Sequence, residues 1–178
     1  MFDRTTARQP PRHRRAGRRL GVFAAALLLT LPVGATTMPE RSAAEVAAAS
    51  ALVVEATVLD ARVVRVERRI VTVTELRVER VLRSAEPGVA PTVVTVALPG
   101  GELAGIAQKV PGTPELRVGA RYLLCLSAEV LAGARAVVGL WQGAWLVDGG
   151  ALRPFTPAGL APAPLARASL ERAFAGAP

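Results

Sequence analysis

The chain has 178 residues, 51% of them hydrophobic, with 22 basic and 14 acidic residues and a formal net charge of +8. One cysteine and one histidine exclude an internal disulfide and the ordinary cysteine- and histidine-based metal sites. Seven of the basic residues and one acidic residue lie before residue 36, which leaves 15 basic and 13 acidic residues and a net charge of only +2 beyond it; a nucleic-acid-binding domain would keep its surplus there, so no nucleic-acid partner is expected.

Residues 1–35 read as a signal peptide. Arginines from Arg4 to Arg19 form a basic leader, "LGVFAAALLLTL" (residues 20–31) an apolar stretch, and Val33 and Ala35 follow Pro32 at the spacing of a cleavage site. The apolar stretch is shorter than the about 20 residues that span a bilayer. Cleavage after Ala35, no membrane anchor after it, and a periplasmic or secreted product are expected. Two Arg-Arg pairs precede the stretch, so the general and the twin-arginine export routes both stay open.

A β-domain is expected over residues 36–150. Ser42 and Glu45 have the spacing of a capping box, and the alanines after them favour a short helix. From Leu52 the chain turns β-branched: "LVVEATVL", "ARVVRV" and "IVTVTELRVERVL" predict strands, with a turn at residues 65–69. In the last of these the apolar phase jumps from Val73 to Leu76 and again from Val78 to Val81, which predicts two bulges. "TVVTVAL" (residues 92–98) predicts a third strand. A crossing rich in glycine and proline, "LPGGELAGIAQKVPGTPEL" (residues 98–116), leads to a fourth strand, "RYLLCLS", in which Cys125 is a buried small hydrophobe. "ARAVVGLWQGAWLV" (residues 134–147) predicts two short strands or one broken strand. Residues 151–178 form a proline-rich tail with little regular structure and a candidate helix over 165–174, whose stripe is Ala166, Leu170 and Phe174. The expected fold is mainly β: a small OB-like barrel of five or six strands, a short N-terminal helix and a candidate C-terminal helix.

The only histidine, His13, lies in the leader, so histidine triads and the usual general base are missing from the rest. Asp60 and Asp148 are the only aspartates beyond the leader, and no S-x-x-K places a serine with Lys109. A non-enzyme without metal or cofactor is expected. Gly100 and Gly105 have the glycine spacing of a phosphate loop, but Ile106 and Ala107 stand where lysine and serine or threonine belong. The stretch therefore reads as a long inter-strand crossing, and long loops on rigid barrels carry binding. Glu102 and Lys109 are its candidate contacts. The second candidate is "WQGAW": Trp141 and Trp145 share a face in a continuous strand, and Gln142 lies beside them. Core packing is the first reading of this pair, an exposed aromatic anchor the second.

The segments "ALVVEATVL", "TELRVERVLRS", "LPGG", "VPGTPELRVGARYLLCL" and "VVGLWQGAW" resemble a group of exported bacterial proteins of unassigned function, over residues 42–147. Arg83-Ser84 stands where that group has a Lys-Gly-like strand end, and Cys125 where it has phenylalanine. More distantly, the strand order is similar to the OB-type barrel of netrin-like domains, which include the tissue inhibitors of metalloproteinases. Those inhibitors chelate the protease zinc with an N-terminal cysteine. Here the expected mature start is Thr36-Thr37, so the resemblance implies the fold and supplies no residue for the inhibitory chemistry. The leading expectation is an exported non-enzymatic binding module for a protein or small ligand outside the inner membrane. A regulator or inhibitor of a secreted metalloprotease comes second, and an enzyme using carboxylates alone third.

Overall fold

A computed structural model describes residues 39–175, apart from 86, 87, 89, 132, 162 and 163. The expected signal peptide over 1–35 and its cleavage point lie outside the described residues. Helix α1 (Ala43–Ala48) begins where its capping box sets it: the Glu45 N–H donates to Ser42 Oγ, and the Ser42 N–H donates to the Glu45 carboxylate. Strands β1 (Leu52–Val66) and β2 (Arg69–Ser84) form a long antiparallel hairpin. Its turn is Glu67-Arg68, inside the arginine-rich stretch that predicted it, with Glu67 at φ 55°. Strand β3 (Val93–Pro99) lies beside β2.

The predicted crossing is more ordered than a loop. It carries a separate two-stranded hairpin of β4 (Gly101–Leu103) and β5 (Ile106–Gln108). The chain then forms β6 (Arg121–Leu131), β7 (Ala134–Val137), a 3₁₀ turn over Leu140–Gly143, and β8 (Ala144–Asp148). Residues after Gly150, expected to hold little regular structure, form β9 (Ala151–Thr156) and β10 (Gly159–Leu160) before helix α2 (Arg167–Ala175). β9 tolerates Pro154 because β10 reaches only Phe155 and Thr156 on its outer side, and the Pro154 carbonyl accepts from the Ala161 N–H.

Strand β6 returns to lie antiparallel to β1, from Leu52 opposite Leu126 to Thr57 opposite Arg121. Strand β7 pairs antiparallel with β6 and parallel with β3, which closes a five-strand ring in the order β1-β2-β3-β7-β6. The order β6-β1-β2-β3 is a Greek key. The fold is thus mainly β and OB-like, but the ring is not a clean barrel. β3 and β7 pair over two residues only, and β6 also pairs with β8, from which the sheet runs on to β9 and β10.

Burial on both faces explains the two most apolar runs. In β1, Leu52, Val54, Ala56 and Val58 face the ring interior, together with Leu76, Val96, Tyr122, Leu124 and Leu126. Val53 faces the other way, and so do Leu123 and Cys125 of β6; these meet Val46 and Ala47 of α1 and Leu170 and Phe174 of α2. Each alternate residue therefore has a core of its own. Burying each large side chain contributes about 1.5–3 kcal/mol.

Bulges do bend the hairpin, at positions that partly differ from the expected ones. Val78 and Val81 both face inward, opposite Ala56 and Val54, because Glu79 is an extra residue between them. The first expected jump is no bulge of β2. Thr74 and Leu76 are both buried and in phase, so a threonine occupies an inward position where an apolar residue was expected. The irregularity at this level lies across the hairpin, where Leu59 is the extra residue of β1.

Candidate binding site

The β4–β5 hairpin is drawn down onto the β1–β2 hairpin by a close approach that only glycine permits. At Gly101 (φ 133°) a Cβ would stand 2.8 Å from both Thr72 Oγ1 and a Val63 methyl. Polar ties complete the seat. The Ile70 N–H donates to Gln108 Oε1 (3.0 Å), and the Thr72 hydroxyl donates to the Gly100 carbonyl (2.8 Å). Beyond β5 the chain runs on from Lys109 to Arg117 as an irregular ridge. The Thr113 hydroxyl donates to the Pro99 carbonyl (3.2 Å). At the far end the Arg117 N–H donates to Tyr122 Oη (3.0 Å), while Tyr122 Oη donates to the Glu115 carbonyl (3.5 Å).

A cleft opens on each side of this ridge. One, of about 330 Å³, lies toward the small hairpin and is lined by Thr72, Leu98, Pro99 and Gln108. The other, of about 400 Å³, lies toward β9 and is lined by Arg117, Tyr122, Leu146 and Phe155. Lys109, Val110, Thr113 and Glu115 line both. Both volumes fall in the range of small-molecule sites. Of the two candidates on the crossing, Lys109 thus stands between two clefts. Glu102 is exposed on β4 opposite Ala107 and lines neither of them.

The "WQGAW" group does not form an exposed face. Gly139 adopts φ 69° and starts the 3₁₀ turn, so no continuous strand joins the tryptophans. Trp141 is half-buried against the ring core, with its indole beneath Gly112, where a Cβ would come within 2.7 Å of Cδ1. Trp145 is 4% exposed on the other side of the sheet and meets Phe174 edge to face at 5.8 Å. Gln142 is 7% exposed. Its Oε1 accepts from the Arg41 N–H (2.6 Å) and its Nε2 donates to the Pro39 carbonyl (3.1 Å), so it fastens the segment before α1. Core packing, the first reading of the tryptophans, describes Trp145, and Gln142 is an interior tie rather than a surface contact.

A charged cluster that sequence reasoning missed lies on the outer face of β1. Glu55 is 4% exposed and pairs with Arg121 (3.4 Å), Arg80 (3.9 Å) and Arg167. Arg167 and Arg80 also reach Glu171 of α2, and their hydrogen bonds hold its carboxyl below the ordinary range. The cluster pins α2 to the sheet. The available signal was a lone glutamate inside the run "LVVEATV", since a carboxylate enters such a strand only with partners. Cys125 is fully buried, and burial pushes its thiol up to about 12, which makes it unreactive.

Among the described residues no group of three or more histidines, cysteines, aspartates or glutamates is placed to hold a metal ion. No helix among them is long and apolar enough to cross a membrane. No protein-family model matches the chain. A search of curated proteins finds no match either.

Proposed function

We propose that the protein is an exported binding module that holds a ligand without transforming it, and that its site is the pair of clefts astride residues 109–117. The observation that carries this reading is the shared ridge: one short segment, seated by hydrogen bonds at its middle and its far end, walls two clefts of ligand size. The site stands on strands of a ring whose core is packed on both faces, so the walls are held by rigid elements and the ridge by local bonds. Its resemblance to exported bacterial proteins and to OB-type netrin-like domains belongs to the same proposal. The fold supplies the platform, and the ridge supplies the specificity.

The test is native mass spectrometry of the full chain produced in a bacterial host and recovered from the periplasm. The expected product begins at Thr36 and carries a small molecule that dissociates on activation. Ala158 borders the larger cleft and is exposed, so Ala158→Trp fills that cleft without replacing a core residue; it is expected to remove the added mass. Wild-type protein with no added mass, and no mass shift on exposure to a metabolite extract, overturns the reading.

A further inference from the structure

Three charged side chains border the larger cleft: Lys109, Glu115 and Arg117. All are exposed, and none has an ion-pair partner within 4.0 Å among the described residues. Other charges on the same molecule do pair: Arg77 with Glu79, Arg153 with Asp148, and Arg80 with Glu171. Two cations and one anion are therefore gathered at one cleft and left unmatched. Between them the floor is apolar, made by Leu146 and by the rings of Tyr122 and Phe155, whose centroids lie 6.1 Å apart. The Tyr122 hydroxyl is already held by the ridge backbone, so the tyrosine offers the cleft its ring and not a donor.

A ligand that matches this lining has an apolar group, a carboxylate and an ammonium close together. A simple carboxylic acid leaves Glu115 facing an anion, and a simple amine leaves two cations facing its ammonium; both are repulsive. We infer that the larger cleft binds a free α-amino acid with an apolar side chain. The side chain lies on Tyr122, Leu146 and Phe155, the carboxylate meets Lys109 and Arg117, and the ammonium meets Glu115. This inference rests on the binding-module reading and names the ligand class for it.

Calorimetric titration of the exported protein with L-phenylalanine, N-acetyl-L-phenylalanine and L-phenylalaninamide tests it. The two analogues keep the side chain and delete one charge each. L-phenylalanine is expected to saturate the protein, and each analogue to bind at least about tenfold more weakly. Glu115→Gln is expected to weaken L-phenylalanine by a similar factor and leave the acetyl analogue unchanged, since that analogue has no ammonium. Arg117→Ala is expected to weaken L-phenylalanine and leave the amide unchanged. Both side chains are exposed, and an unchanged amide spectrum confirms that the variants fold. An acetyl analogue or an amide that binds as tightly as the free amino acid overturns the inference, because one charge or a peptide terminus would then suffice. Absence of saturation by L-phenylalanine and L-leucine at millimolar concentration also overturns it. If the protein still carries a co-purified molecule that Ala158→Trp removes, the binding module stands and only the amino-acid inference falls; if it carries none and takes up none from a metabolite extract, both fall.

Discussion

Two buried polar atoms, one on each face of the ring sheet, show how differently a single residue is treated. The Thr74 hydroxyl is fully buried and has no hydrogen-bond partner among the described residues. An unsatisfied buried hydroxyl costs about 1–3 kcal/mol, while the methyl of a valine has nearly the same shape. Thr74→Val is therefore expected to raise stability by about 1 kcal/mol, read as a higher urea midpoint at unchanged slope. The Cys125 thiol is the second case. Burial pushes it from an ordinary 9.0 to about 12. Above pH 9.0 the unfolded chain gives up this proton and the folded chain keeps it, so the unfolded state binds fewer protons and stability falls as pH rises toward 12. Urea midpoints measured on both sides of pH 9.0 are expected to show that fall, and Cys125→Ala is expected to flatten it while lowering stability at neutral pH through the cavity it leaves.

At the scale of elements, the helices explain what the strands alone could not. α2 docks by Leu170 and Phe174 against Trp145 and its neighbours, and by Arg167 and Glu171 against Glu55 and Arg80. Phe174→Ala is expected to cost about 3 kcal/mol and to shift the Trp145 emission to the red. Glu171 adds a pH dependence. Hydrogen bonds from Arg167 and then Arg80 lower its folded value below the ordinary 4.5, so its contribution is complete above that value and is lost as pH falls through the lowered one. In acid the docking of α2 is expected to weaken before the ring opens, seen as an early Trp145 shift that Glu171→Gln abolishes. The strands were legible because alternation and β-branching are local, and the capping box and the Leu170–Phe174 spacing are local too. The β4–β5 hairpin was not. Its Gly101 answers to Val63 and Thr72, far away in sequence, and nothing in "LPGGELAG" displays them. Core packing held for Trp145, but the shared face of the two tryptophans did not, for a related reason. A spacing of four implies one face only along an unbroken strand, and the 3₁₀ turn over Leu140–Gly143 breaks it.

For the whole molecule, the sequence carried the class of fold further than the place of the site. Runs such as "LVVEATV" and "YLLCL" announced strands, and the phase jump at Val81 announced the bend that lets the hairpin enter a ring. The clefts were legible only in part. Lys109 and Glu115 lie on the stretch singled out and Arg117 just beyond it, whereas Leu146 and Phe155 reach the same cleft from segments that no local pattern joins to it. The packing of α1 beside α2 has one further consequence. The two ends of the described body lie on the same side of the sheet, so a link between them leaves every strand pairing of the ring in place. A circular permutant that joins residues 175 and 39 by a short glycine-serine linker and opens the chain between Glu67 and Arg68 is expected to reach the same ring, with an unchanged far-ultraviolet circular dichroism spectrum. A permutant that folds only with the original break would show that the β1–β2 turn must form first, and would make this hairpin the nucleus around which the ring closes.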